Sequence, residues 1–469
     1  MTSQAAVSAV HRFALGPRQS ELQAAMRDPQ AWLLGQLDAA LPAAAFAGLP
    51  SSLDYLCREA DYQQQQKVAR QYGGGSDDPE AIKQMARALY REATAEELRR
   101  RYVWAATTPD GFAERIVRFW SNHFAVSVDK RPAALYAAPM EREAIRPHAF
   151  GSFTDLVLAV ETHPAMLRYL DNTASVGDDS PQALRARAKN PDARGPGLNE
   201  NLAREIMELH TLGVNGGYTQ ADVTELARAI TGWGVPGARD FERDAAASSF
   251  MFRAGAHEGG TRSVLGRRYA QEGQAQGRAV LADLCVHPAT ARHVCMQLAR
   301  HFVADVPPPT LVQRMAQAWT RSGGDLPAVY RVLVESREAW AADARKFRTP
   351  DDYLVAGLRA GGIDALDDKR GKMLVGVLGK LGQPPFTPRS PAGFADDAAS
   401  WNGPDALWKR VQVAQSLARI GGDPDPQAVV DSVWGDRLDA DTALAVHRAE
   451  SRRDALALLF ASPAFQWRA

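Results

Sequence analysis

Apolar residues recur at spacings of three and four along much of this chain. That spacing places them on one face of an α-helix and so predicts helices wherever it persists. The windows that show it are 20–40, 81–104, 111–125, 152–160, 200–212, 220–231, 289–304, 309–320, 327–335, 351–360, 406–419 and 440–460. Strand-like alternation is rare, and its best candidate is residues 248–266, which predicts either a small hairpin or two short strands. The pattern therefore predicts a mainly α fold, one large multi-helix domain over residues 1–469 with at most a small β-hairpin near 248–266.

Two polar stretches interrupt this pattern and are predicted to be flexible insertions. The first lies near residues 60–80 and contains the run QYGGGSDDPE. The second covers residues 174–197 and is rich in Pro, Gly, Asp and Arg. Because long polar loops in compact domains are usually functional or disordered, the second insertion is either a lid or a passive loop.

Charge and cysteine content narrow the class of protein. The chain has 55 Lys and Arg residues against 55 Asp and Glu residues, so it lacks the basic excess of a nucleic-acid-binding protein. It also lacks the long apolar run of an integral membrane protein. The chain has three cysteines, and such a small, odd number does not form a disulfide framework, which favours a reducing compartment. No secretory signal pattern is present, so we expect a cytoplasmic protein, with export alongside a partner left open.

Helix boundaries are marked by several capping residues. Thr219 and Asp222 have the spacing of a capping box at the start of the helix predicted over 220–231. His163, His287 and Ser462 each precede a proline, which fits the first turn of a helix because its missing N–H would be unpaired there. We therefore predict that these three residues are helix N-caps.

The stretch 197–213, GLNENLAREIMELHTLG, concentrates polar chemistry on one predicted helix. At 100° per residue, four polar residues share one side of that helix: Asn201, Arg204, Glu205 and Glu208. His210 falls on the other side, among apolar residues. The polar stripe is either a structural ion-pair face or one wall of a pocket.

Other candidate residues lie outside this helix. His123 ends the segment FWSNHFAVS, where it is either a ligand or general base, or a buried structural imidazole. Asp171 ends a helix in the segment LRYLDN, and His257 lies at a turn. The predicted substrate-binding residues are Asn122, Asn172, Asn201 and His257. The sequence contains no nucleophile elbow, phosphate-binding loop, His-Glu-x-x-His motif or dinucleotide fingerprint.

Several blocks of the sequence resemble one known family. They are RFALGP (12–17), FWSNHFAVS (119–127), EREAIRPHAFGSF (141–153), HPAMLRYLDN (163–172), the long block 197–233, HPATARHVCMQLARHFV (287–303), KFRTP (346–350) and LGQPPFTPRSPAGF (381–394). The chain resembles the bacterial family catalogued as domain of unknown function 1800, and departs from it where His257-Glu258 replaces an expected His-Asp. The resemblance implies one large helical domain, a sulfatase-like protein partner and work on the cell envelope, but no particular reaction.

Two functional hypotheses follow from these residues. The first is an enzyme of unknown reaction with a polar pocket between helices, acting on a cell-envelope or secondary-metabolite substrate. Its predicted catalytic residues are His123, Asp171, Arg204, Glu205 and Glu208. A divalent metal is the one cofactor considered, with Glu205, Glu208 and His123 as its ligands. The alternative is a non-catalytic helical scaffold that binds the sulfatase-like partner.

Overall fold

Helices make up most of the chain in the computed structural model, which describes residues 3–18, 20–38, 42–71, 84–190, 197–243, 248–420 and 424–468. The α-helices are Ser3–Ser8, Glu21–Arg27, Pro29–Leu34, Ser52–Gln71, Ala93–Thr107, Gly111–His123, Ala137–Met140, Arg146–His148, Phe153–Glu161, Pro164–Tyr169, Pro181–Lys189, Asn201–Glu205, Gln220–Ala229, Ala238–Glu242, Gln274–Val286, Pro288–Phe302, Pro309–Ser322, Leu326–Glu335, Pro350–Ala360, Asp368–Lys380, Ala398–Trp401, Pro404–Ile420, Pro426–Val433, Ala440–His447, Arg452–Ala461 and Pro463–Gln466. Wider π-helical turns occupy Ala9–Phe13, Ala88–Glu92, Glu141–Ile145 and Ile206–His210. Single 3-10 turns lie at Ala43–Phe46, Arg131–Ala133, Asn172–Ala174, Arg337–Trp340 and Gly435–Arg437.

Short antiparallel strand pairs are the β structure of the described residues. They join Trp233–Gly234 to Met251–Phe252, Arg262–Val264 to Arg267–Tyr269, and Lys346–Phe347 to Trp467–Arg468. The predicted mainly α class is therefore confirmed. The window 248–266 contains two short strands, and each pairs with a strand outside the window rather than with the other. The turn of the hairpin 262–269 is formed by Leu265 and Gly266, both with positive φ.

The capping predictions are confirmed by hydrogen bonds. The Thr219 side chain accepts from the backbone N–H of Asp222, and the Asp222 carboxylate accepts from the backbone N–H of Thr219. The side chains of His163, His287 and Ser462 each accept a backbone N–H in the first turn of the following helix. These local contacts fix where the helices begin.

The predicted insertions lie only partly within the described residues. The insertion near 60–80 begins inside the helix Ser52–Gln71, and its remainder is outside the described residues. The insertion 174–197 contains the helix Pro181–Lys189, while residues 191–196 are outside the described residues. The flexibility of both insertions stays a prediction.

Two hydrophobic cores meet inside the fold. The first gathers apolar side chains from residues 6–344. The second gathers those of residues 353–465 together with Leu15 and the helix Ala93–Thr107. Phe386 packs against both cores. Charged side chains lie at this junction, so it is where a functional site can form within an otherwise apolar interior.

Candidate functional site

Two adjoining cavities open at the junction of the cores. The arginine cavity, about 90 Å³, is lined by Arg101, Tyr102, Arg115, Arg118, Ser121, Asn122, His301, Asp351, Asp352, Gln383, Phe386, Phe394 and Asp396, among others. The histidine cavity, about 250 Å³, is lined by Phe119, Asn122, His123, Leu209, Gln297, Arg300, His301, Phe394, Asp396 and Asp397, among others. The two cavities adjoin, since both are lined by Asn122, His301, Phe394, Ala395 and Asp396.

One face of the helix Gly111–His123 supplies the cationic wall of the arginine cavity. Arg115 and Arg118 are three residues apart, so their side chains lie on neighbouring turns of the same face. Arg115 Nη1 donates to Asp352 Oδ1 at 2.7 Å, and Arg118 Nη1 donates to Asp351 Oδ2 at 2.5 Å. Both aspartates begin the helix Pro350–Ala360, so these ion pairs hold the two helices together.

The helix Ala93–Thr107 adds a second set of contacts to this wall. Tyr102 Oη donates to Asp351 Oδ1 at 2.6 Å. Arg101 Nε donates to the Glu141 carboxylate at 2.9 Å, and its guanidinium lies 4.9 Å from the centre of the Phe386 ring. Both oxygens of Asp351 therefore accept hydrogen bonds, one from Tyr102 and one from Arg118. The guanidinium groups of Arg101 and Arg118 each have a fixed orientation.

His301 and Asp396 form a hydrogen-bonded pair between the two cavities. His301 Nδ1 lies 2.7 Å from Asp396 Oδ2. Burial lowers the pKa of His301, and this effect outweighs Asp396, which raises it. A neutral imidazole beside a carboxylate carries its proton on the nitrogen that faces the carboxylate. His301 Nε2 then carries a lone pair, and it has no hydrogen-bond partner in the described part of the chain.

Two cations keep Asp396 ionised. Burial alone would raise the pKa of Asp396, but His301, Lys346 and Arg468 lower it below its ordinary value. Lys346 Nζ lies 3.7 Å from Asp396 Oδ1, and Arg468 Nη2 lies 3.6 Å from the same oxygen. Lys346 and Arg468 belong to the strand pair that joins the C-terminal segment to residues 346–347. This strand pair therefore places two cations beside the His301–Asp396 pair.

A proline-rich strap, residues 382–397, covers the cavities. The Asn122 side chain donates to the Phe394 carbonyl at 2.9 Å and accepts from the Phe394 N–H at 2.8 Å. Gly393 has φ +79°, and a Cβ atom there would lie 2.4 Å from the backbone oxygen of Asn122. A side chain larger than hydrogen does not fit at this position, so Gly393 lets the strap approach the helix closely.

His123 lines the histidine cavity, and both its ring nitrogens face oxygen atoms of the protein. Nδ1 lies 2.8 Å from Gln297 Oε1, and Nε2 lies 3.1 Å from the His210 carbonyl oxygen. Burial, followed by the neighbouring His210, lowers the pKa of His123 to about 3. His123 is therefore a neutral, buried imidazole at physiological pH, and its single N–H donates to one of these two oxygens.

The predicted metal ligands do not come together. Among the described residues no group of three or more His, Cys, Asp and Glu side chains is arranged to hold a metal ion, so Glu205, Glu208 and His123 do not form such a site. Glu205 and Glu208 are half-buried and line neither cavity. Burial raises the pKa of Glu205.

The rest of the polar stripe forms part of a surface network. Arg204 Nη2 donates to Glu200 Oε2 at 3.1 Å and to Gln220 Oε1 at 3.0 Å, which links the two helices of this hairpin. Asn201 is exposed at the helix start. Contacts of this kind explain the polarity of the stripe without a pocket.

His210 lies on the packing side of its helix, which confirms that prediction. It is fully buried, and its Nδ1 lies 2.8 Å from Glu161 Oε1, which is also fully buried. The pair is therefore an internal polar contact within the first core.

Three further predicted residues have structural partners outside both cavities. Asp171 pairs with Lys130 at 2.6 Å. Asn172 Nδ2 donates to the carbonyl oxygens of Ile230 and Trp233, at 3.2 and 3.0 Å. His257 Nδ1 lies 3.0 Å from the carbonyl oxygen of Thr231. Of the residues selected from the sequence, Asn122 and His123 line the cavities described here.

Sequence reasoning missed most of the charged residues of the site. They are Arg101, Arg115, Arg118, His301, Asp351, Asp352 and Asp396. The available signal was indirect. The blocks FWSNHFAVS, HPATARHVCMQLARHFV, KFRTP and LGQPPFTPRSPAGF, which carry the family resemblance, each contribute a residue to the cavity walls. Their convergence was not visible in the sequence.

The fold and this site define a mainly α-helical protein with a charge-lined cavity between two hydrophobic cores. The chain belongs to the family described as "Protein of unknown function (DUF1800)", whose model matches residues 8–467. No curated protein and no solved structure matches it. Within the described residues, every helix is too short or too polar to cross a bilayer.

Proposed function

We propose that this protein is an enzyme that performs general acid–base chemistry, with His301 as the proton-transferring group and Asp396 as its positioning residue. One observation carries this proposal. His301 Nδ1 is held at 2.7 Å from the Asp396 carboxylate, while His301 Nε2 has no hydrogen-bond partner in the described structure and the residue lines both cavities. An oriented imidazole with one free nitrogen is the arrangement of a general base.

The proposed step is a proton transfer. His301 Nε2 accepts a proton from a substrate group, and the Asp396 carboxylate stabilises the imidazolium that forms. The same nitrogen then returns the proton to a leaving group, so the enzyme is regenerated. Because burial lowers the pKa of His301, the base is neutral and ready to accept a proton even somewhat below pH 6.5.

Contrast with His123 supports the choice of His301. Both imidazoles are neutral and line the histidine cavity. A neutral imidazole has one N–H, so His123 donates to one of two protein oxygens and its lone pair faces the other, whereas His301 Nε2 has no such neighbour within hydrogen-bond distance in the described structure. A general base must offer an unshared lone pair to the substrate, and His301 meets this requirement.

The test compares variants on a panel of model substrates. The panel contains acyl, phosphoryl, sulfuryl and glycosyl esters, so that it covers the transfers a base can assist. His301→Asn and Asp396→Asn should each lower turnover about 10²–10⁴-fold, the usual worth of general acid–base catalysis. His447→Asn is the matched control, because His447 is exposed and lines neither cavity. Unfolding temperatures of all variants establish that they are folded.

The outcome separates the enzyme from the scaffold alternative. Turnover by His301→Asn equal to that of the wild type would overturn the proposal. A folded wild-type protein that turns over no member of the panel favours the scaffold. The cell-envelope substrate and the sulfatase-like partner remain expectations from the family resemblance. The secondary-metabolite substrate and the divalent metal remain expectations from the sequence.

A further inference from the structure

Two buried guanidinium groups in the arginine cavity have hydrogen-bond donors to spare. Arg115 is 1% exposed and Arg118 is 8% exposed. Arg115 Nη1 donates to Asp352 Oδ1 at 2.7 Å, and Arg118 Nη1 donates to Asp351 Oδ2 at 2.5 Å. Arg115 Nη2, Arg118 Nε and Arg118 Nη2 have no hydrogen-bond partner in the described structure. A buried donor without a partner destabilises the protein, so these groups favour a bound acceptor.

Carboxylates take up part of this donor capacity. Asp352 is shared, because Arg115 binds its Oδ1 and Arg468 Nε lies 3.6 Å from its Oδ2. Arg118 Nε lies 3.7 Å from Glu114 Oε1, a contact longer than a hydrogen bond.

The remaining carboxylate oxygens of the lining differ in how they are bonded. Both oxygens of Asp351 already accept hydrogen bonds. Asp352 Oδ2 and Asp396 Oδ1 have no hydrogen-bond partner in the described structure. Burial lowers the pKa of Arg115 to about 10, so this guanidinium is still cationic at neutral pH. The Nη2 atoms of the two arginines are therefore the donors left for a ligand.

The space suits a small group. The arginine cavity holds about 90 Å³, several times the ~10–15 Å³ that one water needs. The adjoining histidine cavity holds about 250 Å³ and has Phe119 and Phe394 in its walls. A charged group in the first cavity would leave the remainder of a molecule in the second, with His301 between them.

We propose that the arginine cavity is an oxyanion-binding subsite, in which Arg115 and Arg118 bind a carboxylate, phosphate or sulfate group of the substrate. The planar fork of a guanidinium matches two oxygens of such a group, and charge-assisted hydrogen bonds of this kind are about twice as strong as neutral ones. This inference concerns the same cavity as the proposed enzyme and names its substrate class. It is tested by binding alone, which does not require His301.

The experiment measures anion binding by titration calorimetry and by the unfolding temperature. Sodium sulfate, phosphate and acetate are compared at constant ionic strength, with sodium chloride as the reference salt. The wild type should show saturable binding of at least one of the three anions, and the tightest of them identifies the substrate group. Arg118→Gln should weaken that binding at least tenfold. Arg118→Lys keeps the positive charge but loses the planar guanidinium, so its anion affinity should lie between those of the wild type and Arg118→Gln.

Two controls make the result specific. Arg314→Gln removes a half-exposed arginine from a surface ion pair with Glu338, and it should bind the anion as the wild type does. His301→Asn removes the proposed base, and it should also bind normally. Loss of turnover without loss of binding in His301→Asn would uphold both proposals. Normal turnover in that variant together with wild-type binding would overturn only the proposed reaction.

Three results would overturn the subsite. One is the absence of saturable binding of sulfate, phosphate and acetate by the wild type. Another is unchanged affinity in both Arg118 variants. For the case in which those variants do not fold, a crystal structure of the wild type with selenate locates the anion directly. Anomalous density between Arg115 and Arg118 would support the assignment. Anomalous density found only outside the arginine cavity would overturn it.

Discussion

Replacing Gly393 with alanine tests whether the strap is held against the helix Gly111–His123 by close contact. The position imposes two separate demands. Its φ of +79° disfavours any residue with a Cβ atom, and that atom would lie 2.4 Å from the backbone oxygen of Asn122. The helix is rigid, so we expect the strap to move away and the two hydrogen bonds between Asn122 and Phe394 to break.

The expected loss of stability is the sum of these effects. A left-handed conformation costs a non-glycine residue roughly 1–2 kcal/mol. Two hydrogen bonds contribute roughly 0.5–1.5 kcal/mol each, so their loss costs about 1–3 kcal/mol. Gly393→Ala should therefore lower the free energy of unfolding by about 2–5 kcal/mol. It should also weaken anion binding, because Phe394 lines both cavities.

Gly362→Ala is the matched control for this experiment. Gly362 has φ +67°, but an added Cβ atom there meets nothing within 4 Å. This variant therefore carries the backbone strain without the steric contact, and it should lose only about 1–2 kcal/mol. Urea unfolding followed by circular dichroism measures both. Equal losses in the two variants would refute the reasoning, because the contact with Asn122 would then add nothing.

Two further changes test the buried histidines. Burial lowers the pKa of His123 to about 3. Between pH 6.5 and 3 the unfolded chain therefore binds a proton that the folded chain excludes, and the free energy of unfolding falls as the pH falls, by about 1.4 kcal/mol per pH unit. In urea unfolding from pH 7 to 4, the free energy of unfolding should depend less steeply on pH in His123→Gln than in the wild type, and equally steeply in the exposed control His447→Gln. An equal slope in both variants would contradict the burial argument. Glu161→Ala leaves the buried His210 without its polar neighbour and should cost about 1–3 kcal/mol in the same assay, whereas no measurable loss would show that the contact is not stabilising.

Local features of the fold were predictable because their signals are local. The capping box at Thr219 and the histidine caps at His163 and His287 involve residues two or three positions apart, and all are present. The helix Gly111–His123 has a strongly one-sided apolar pattern and was predicted almost to its ends. Such features depend on neighbouring residues, which a single sequence contains in full.

Other helices were missed for identifiable reasons. Ser52–Gln71 is rich in glutamine and charged residues, so its apolar stripe is thin. Asp368–Lys380 contains three glycines, which weaken helix propensity and hide the pattern. The window 440–460 is two helices, because Ser451 caps a new helix at Arg452. The apolar spacing continues through the break, so periodicity alone does not reveal it.

The site was far less predictable because its contacts are distant in sequence. Arg118 and Asp351 are 233 positions apart, and His301 and Asp396 are 95 apart. Periodicity shows which face of a helix is apolar, but it does not show which helices bring their polar faces together in the folded protein. The stripe on residues 201–208 attracted attention because its charges lie close together in sequence. The residues of the arginine cavity come from five segments of the chain and are brought together only by packing of the two cores.

The buried arginines differ in how completely their nitrogens are bonded. Arg359 donates from Nε and Nη1 to backbone carbonyl oxygens and from Nη2 to a carboxylate, so every nitrogen has a partner. Arg115 and Arg118 keep three nitrogens without hydrogen-bond partners in the described structure. Arg12 and Arg468 are fully buried, line neither cavity and also keep such nitrogens, so incomplete bonding alone does not identify a binding residue. Arg115 and Arg118 differ because they line a cavity beside an oriented imidazole, and this position is what favours a bound ligand over a purely structural role.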